Sequence, residues 1–411
     1  MQALDFNAMN LNLLAFAVPF FLVFIFIEYW VSRRQGKDYF SFAQSISNLS
    51  IGIAERLSDV FVAGIFYFIY DYLHTNYAIW KIESSWYHWI LLLLVTDFVW
   101  YWYHRLGHEV NLFWAAHVVH HQSPEFNYTA SARVTVFQAV LRFSFWSVLP
   151  IIGFSAGMIT TILLVHGLYP FFTHTQTIGK LGWLEYIFVT PSHHRVHHAS
   201  NDQYLDKNYG DVFIFWDKIF GTFVEEKEQP VFGLNKPLNS YSFLWQHFHF
   251  TLELYYAIRQ KKGFGDKVRI LFGKPDLIDS RIREMLERKF RIFKTPQTAS
   301  IPLNRYVLVQ MVAMLFLLFA FILFEQFIAL QIKVIFSGIM LSTLINCGAI
   351  LERRAWIFHV EWIRFLLLVV LLLCISLPAA GSFLILTAVA ISILQYNTLQ
   401  QRYLRLVYRR V

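Results

Sequence analysis

Eight histidines fall into three tight groups between positions 104 and 198. The first, His104-Arg-Leu-Gly-His108, has H-x3-H spacing, and the others, His117-Val-Val-His120-His121 and His194-Arg-Val-His197-His198, share H-x2-H-H spacing. On a helix, residues i and i+4 lie on one face with Cβ atoms roughly 5–6 Å apart, which suits two ligands of one ion. In H-x2-H-H the i and i+3 residues are expected to share a face while the adjacent third histidine points about 100° away, so that one helical turn serves two ions. Eight gathered imidazoles repel one another once protonated and have little reason to converge unless a cation holds them. The spacing therefore predicts a dinuclear metal centre.

Imidazole suits zinc, copper, iron and nickel alike. A structural zinc site closes with four ligands, usually including cysteine. Two iron ions with positions open to dioxygen make better use of an all-nitrogen set, since such a centre attacks an unactivated C–H bond, which side chains alone cannot do. Cys347 and Cys374 lack CxxC spacing and fall in apolar windows, so they support neither a disulfide framework nor a thiolate-ligated haem. Gly153-Phe-Ser-Ala-Gly157 fits a hydrolase elbow, but that elbow needs a strand before it, and here it joins two apolar runs. The chain carries no phosphate-cradling loop and no dinucleotide fingerprint. Reducing equivalents must then come from outside, from a reductase or a reduced pterin.

These ligands must be positioned by membrane helices. Hydrophobic residues make up 56% of the 411 positions, and the mean hydropathy is +0.44. The apolar residues gather in windows near the roughly 20 residues that cross a hydrocarbon core. About nine are predicted: 11–31, 57–72, 86–103, 134–152, 156–172, 307–324, 328–350, 357–377 and 383–396. The fourth and fifth, separated by a turn at Gly153, form either two spans or a re-entrant hairpin. The fold class is thus all-α and polytopic. Arg33, Arg34 and Lys37 follow the first window, Arg353 and Arg354 the seventh, and Arg402, Arg405, Arg409 and Arg410 the last, while the opposite turns at Glu325-Gln326 and Pro378 to Gly381 carry no basic residue. Lys333 is the exception and can snorkel outward. The positive-inside rule then predicts an outside N-terminus, an inside C-terminus and a cytoplasm-facing histidine site.

The net charge of +8 sits at membrane borders and in the segment 261–294. Anionic lipid explains it, and nucleic acid does not. An acidic Asp5, no basic leader and a first window of spanning length predict a retained anchor instead of a cleaved signal. Three parts are expected: a catalytic membrane portion over 1–250, an amphipathic cytoplasmic connector over 251–300 and a four-helix membrane bundle over 301–411. Asp97 lies seven residues before His104 on the same helical stripe, where a carboxylate is costly unless paired. It is expected to accept a hydrogen bond from a ligand imidazole, fixing its tautomer; pairing with another helix is the alternative.

Three stretches carry a family resemblance: Tyr103-His-Arg-Leu-Gly-His-Glu-Val-Asn111, Trp114-Ala-Ala-His-Val-Val-His-His121 and Thr190-Pro-Ser-His-His-Arg-Val-His-His198. It continues through Asp206-Lys-Asn-Tyr-Gly210 and Trp216-Asp-Lys-Ile-Phe-Gly-Thr-Phe223 and covers about residues 40–250. In these the chain resembles the fatty acid hydroxylase and sterol desaturase superfamily of membrane di-iron enzymes, and within it the branch that uses tetrahydrobiopterin and O2 to hydroxylate the carbon beside the ether oxygen of alkylglycerols. The resemblance implies that His104, His108, His117, His120, His121, His194, His197 and His198 bind two iron ions. It also implies His174 as a ninth ligand, Glu109 as the residue associated with pterin use, and Asp206 and Asn208 as supports that orient the third histidine group. From the residues alone Glu109 stays open as a metal ligand, an acceptor for an imidazole N–H or a solvated helix-end charge.

The expected partners are a lipid substrate within the bilayer and an electron-donor protein, in the plasma membrane of a bacterium or the endoplasmic reticulum of a eukaryote. A sterol desaturase, or a hydroxylase of acyl, sphingoid or carotenoid chains, is the near alternative. A metal transporter is remote, because its ligands would lie near the bilayer midplane, whereas these clusters follow span ends.

Overall fold

A computed structural model describes residues 11–292, 301–374 and 379–408. Among these residues no strand forms, apart from two isolated antiparallel bridges, Phe188 to Phe213 and Ala199 to Phe232. The chain divides into two compact units.

The histidine-bearing unit comprises Val23–Asn239 and Trp245–Lys294. It contains most of α1 (Ala17–Arg34), then α2 (Phe42–Tyr77), α3 (Trp86–Glu109), α4 (Asn111–His121), α5 (Tyr128–Ser131), α6 (Gln138–Trp146), α7 (Val148–Ile152), α8 (Ala156–Thr173), α9 (Pro191–His197), α10 (Phe215–Phe220), most of α11 (Phe243–Arg259), α12 (Phe264–Phe272) and α13 (Arg281–Lys289). Its main core joins α2, α3, α7 and α8 through Phe66, Tyr70, Leu92, Leu149, Phe154 and Ile159. Gly153 is indispensable to this corner. Its φ is +132°, and a Cβ there would lie 2.1 Å from the Trp80 carbonyl oxygen, beside the hydrogen bonds that tie residues 79–82 to 151–153. The serine of the Gly153–Gly157 motif caps α8 by accepting from the Met158 amide, so it serves a helix start.

Val110 adopts extended backbone, φ −126° and ψ 121°, and breaks the chain between α3 and α4. The freed N-terminus of α4 is held elsewhere: the Asn111 amide donates to Gly273 O at 2.8 Å, and its Nδ2 donates to Ile270 O and Lys274 O. Helix α9 starts on Thr190 with Pro191 at its first position, and a reciprocal capping box joins Thr190 and His193.

The second unit comprises Met1–Leu22, Ser240–Leu244 and Thr295–Val411. Its helices are α14 (Ile301–Leu323), α15 (Leu330–Leu351), α16 (Ile357–Cys374), α17 (Ala379–Leu394) and α18 (Tyr396–Tyr408). Phe16 packs edge-on against Phe319 with ring centroids 5.3 Å apart. Buried Glu352 accepts from the Tyr241 and Ser242 amides, and Arg364 bonds Gln310 and Thr343 while pairing with Glu361.

Among the described residues five helices are long and apolar enough to cross a membrane: Leu13–Arg34, Ala156–Thr173, Pro302–Leu323, Leu330–Leu351 and Ile357–Cys374. A bent pair, Ala380–Leu394 and Tyr396–Tyr408, makes a sixth if it is one span broken by 81°. The difference from the nine predicted windows lies in three places. Windows 57–72 and 86–103 sit inside α2 and α3, which are long enough but carry Glu55, Arg56, Asp59, Asp97 and many aromatic rings. The window 134–152 folds as the shorter apolar stretch Gln138–Ile152. The chain is a multi-pass membrane protein by these helices. Arg409, Arg410, Pro378 and the end of the 357–377 window lie outside the described residues.

Candidate metal centre

The three histidine groups and His174 converge into two clusters. His104, His108, His117, His121 and His197 form one, and His120, His174, His194 and His198 the other; within each, the candidate ligand atoms lie within 4.8 Å of one another. None of the nine is more than 9% exposed. Each H-x2-H-H motif serves both clusters, but not by the expected division. The i and i+4 histidines share a cluster, His117 with His121 and His194 with His198, while the i+3 member crosses to the other one. The reason is angular: i+4 lies about 40° from i around a helix and i+3 about 60° on the opposite side, so the pair flanked by a neighbouring ion separates on that side. The two motifs are complementary, α4 giving two ligands to the first cluster and one to the second, and the α9 turn the reverse.

Hydrogen bonds at Nδ1 fix the tautomers. His104 Nδ1–H donates to Tyr209 O at 2.8 Å, His197 to Lys207 O at 2.9 Å, His120 to Arg133 O at 3.2 Å and His174 to Pro170 O at 2.6 Å. Each of these rings then presents a bare lone pair at Nε2. Yet His120 Nε2 and His174 Nε2 face each other at 3.1 Å. Two lone pairs at hydrogen-bond distance with no proton between them repel, and a cation between them removes the conflict. His104 Nε2 likewise lies 3.1 Å from His117 Nε2, and His174 Nε2 lies 3.1 Å from His194 Nε2. Buried Nε2 atoms of His108, His197 and His198, and Nδ1 of His194, have no partner. The donor set therefore fits two metal ions.

Burial keeps these imidazoles neutral and so able to ligate. It pushes His197 down to about 4 and His174 down to about 3. His117, His120, His121, His194 and His198 move the same way, through burial first and then repulsion from protonated neighbours.

The acceptor carbonyls are themselves held. Asp217, a buried residue not singled out from the sequence, accepts from the Tyr209 amide at 2.7 Å, the Gly210 amide at 2.8 Å and Thr222 Oγ1 at 2.7 Å. Burial pushes its carboxyl up to about 6, against these hydrogen bonds. A Cβ on Gly210 would lie 2.9 Å from Asp217 Oδ2 and 2.7 Å from Phe213 O, so only glycine admits this approach. Asn208, at φ +54°, donates from Nδ2 to His193 O and Val224 O and accepts from the Val224 amide; it braces the third histidine group. Arg133, also unforeseen, crosses to Val119 O, Asn48, Gln122 and Gln246 while its carbonyl takes the His120 proton. Asp217 stood within the Trp216–Phe223 stretch that carries the family likeness; nothing local marked Arg133.

Two acids differ from expectation. Asp97 accepts from His166 Nε2 at 2.9 Å, the Val212 and Phe213 amides and Trp216 Nε1, and from no member of the two clusters. His166 Nδ1 lies 2.9 Å from Asp211, giving a buried acid–imidazole–acid triad that joins α3 and α8 to the segment 211–216. The helical stripe pointed Asp97 along α3, but α8 supplies a nearer donor. Asp206, at φ +57°, approaches His108 Nδ1 at 3.8 Å, in the first group and not the third. Glu109 belongs to neither cluster; Arg105 Nε donates to it at 3.0 Å, and its side chain is 28% exposed at the end of α3. His249 is buried beside Gln122.

The fatty acid hydroxylase family model matches residues 89–222, the stretch that holds both clusters. The chain is 33% identical to alkylglycerol monooxygenase of Homo sapiens over 370 residues, 86% of this chain and 81% of that protein. It is 28% identical to alkylglycerol monooxygenase of Danio rerio with the same coverage. The ornithine lipid hydroxylase OlsE of Rhizobium tropici is 24% identical over 54% of this chain and 68% of its own length. No solved structure gives a significant match.

Proposed function

Because the chain belongs to the fatty acid hydroxylase family, with alkylglycerol monooxygenases among its relatives, we propose that it hydroxylates the ether-linked carbon of alkylglycerols, using two iron ions, O2 and tetrahydrobiopterin. It is an oxidoreductase, a monooxygenase of lipid metabolism in a membrane. The observation that carries the metal reading is the pair of facing Nε2 lone pairs on His120 and His174.

The nine histidines would hold the iron, which when bound would supply the reduction of O2 and its delivery to a C–H bond. In the balance, one oxygen atom enters the C–H bond beside the ether oxygen, the other leaves as water, and two electrons and two protons come from the tetrahydropterin. The hemiacetal C–O bond then breaks to give a fatty aldehyde and glycerol. The chain's own residues hold and shape this chemistry. Tyr209, Lys207, Arg133 and Pro170 carbonyls keep the ligand protons on Nδ1. Trp100, Phe126 and Trp114 rings pack against the histidines and exclude water. Glu109 is the residue that would hold the pterin, at the half-open end of α3.

The basic residues in the last turn of α1 and after α15 support a cytoplasmic face for the site and an outside N-terminus. Purified, iron-loaded protein in detergent, given O2 and an alkylglycerol, is expected to release fatty aldehyde only when tetrahydrobiopterin is added. Absence of aldehyde with pterin, together with hydroxylation of an acyl chain or a sterol when a reductase supplies electrons, would move the assignment to the alternative within the family.

A further inference from the structure

Helix α12 has two apolar faces. Ile270 is buried against Leu254, Ile282 and Leu286. On the other side Phe264, Val268 and Phe272, spaced i, i+4 and i+8, are 83%, 37% and 54% exposed. Lys267 and Arg269 border this stripe, Lys261, Lys262 and Lys274 stand at its ends, and Asp266 is the sole acid over 261–274. All five basic residues are exposed.

Nine residues rise about 14 Å, less than half of a hydrocarbon core, so α12 cannot cross a bilayer. An apolar stripe edged by lysine and arginine is instead the composition of a helix lying in the headgroup region, where the rings enter the acyl boundary and the cations meet lipid phosphates. We propose that α12 docks in the plane of an anionic bilayer surface through Phe264, Val268 and Phe272. The carbonyls of Ile270, Gly273 and Lys274 at its C-terminal end take the hydrogen bonds of Asn111, the first residue of α4. The docked helix is thereby tied to the helix that carries His117, His120 and His121. Nothing in this proposal depends on which metal or substrate the site takes.

The test uses the full chain with Cys347→Ser and Cys374→Ser, in nanodiscs of phosphatidylcholine with or without phosphatidylglycerol. Spin labels placed singly at positions 264, 272 and 266 report relaxation by O2, which partitions into lipid, and by an aqueous nickel chelate. Labels at 264 and 272 are expected to be several-fold more sensitive to O2 than to nickel, and the label at 266 the reverse, with the contrast larger when phosphatidylglycerol is present. Labels at 264 and 272 that respond like the one at 266, or that are shielded from both reagents by protein, would overturn the proposal. An equal contrast in both lipids would overturn its electrostatic half, as would a contrast that survives Lys261→Gln, Lys262→Gln and Lys267→Gln together. Hydrogen exchange of 261–274 in the unsubstituted chain guards against misfolding of labelled variants: slower exchange with phosphatidylglycerol is expected, and unchanged exchange counts against docking.

Discussion

His120 stands where α4 hands one ligand across to the second cluster, and its ring faces His174 without a proton between them. His120→Ala is therefore expected to lose bound iron from that cluster and to abolish turnover, read by metal analysis beside the aldehyde assay; normal activity would defeat the dinuclear reading. Asp217 acts at one remove, fixing the Tyr209 amide whose carbonyl partner orients His104. Groups in this position typically change metal affinity or activity about 10- to 100-fold. Asp217→Asn should produce a loss of that size in iron retention while the chain stays folded, and an unchanged iron affinity would deny it the positioning role. Gly210→Ala should cost about 1–3 kcal/mol through overpacking against Phe213 O and Asp217, measurable as a lowered unfolding temperature in detergent.

At the scale of elements, the candidate ligands come from the end of α3, the C-terminal half of α4, the turn after α8 and the short helix α9 with its C-cap, and each junction is braced by a polar group inside the fold. Asp97 and Asp211 clamp His166 between them and tie α3 and α8 to the segment that follows Tyr209. Removing one member of a buried ionic pair leaves the others uncompensated, at about 3–5 kcal/mol. Asp97→Ala is accordingly expected to loosen the 209–216 segment and release iron at lower denaturant than Glu109→Ala, whose partly solvated pair with Arg105 contributes about 1 kcal/mol or less. Equal sensitivity of the two variants would show that the triad does not hold the segment.

For the whole molecule, ligand protonation sets the pH range of the metal-loaded state. Free histidine takes a proton near 6.5, but burial pushes His197 down to about 4 and His174 to about 3. A lowered proton affinity means that protons displace metal only at more acid pH, so iron should remain bound at pH 5.5 and leave below about 4. Metal content after dialysis across that range checks the sign; loss already at 6.5 would contradict it. The surroundings decide another property of the whole chain. Helix α3 carries a charge within an otherwise spanning length, because Asp97 is satisfied by His166, Trp216 and two amides inside the protein. A hydropathy window sees each residue as though it faced lipid.

Residue types and short spacings determined the presence of a multi-pass helical chain and singled out the eight histidines that the fold gathers, with His174, into two clusters able to hold metal, because those signals repeat within one or two helical turns. They also marked Asn208 within a recognisable stretch. The partition of the histidines did not follow from spacing, since the pairing of His117 with His121 and the crossing of His120 depend on how α4 meets α9 and the His174 turn. The partners of Asp97 and Asp206, and the bracing roles of Asp217 and Arg133, were equally out of reach. His104 and the Tyr209 carbonyl are 105 residues apart, and His120 and His174 are 54 apart. Contacts of that separation are chosen by the packing of whole helices against one another, and only the folded chain states which donor stands nearest to which acceptor.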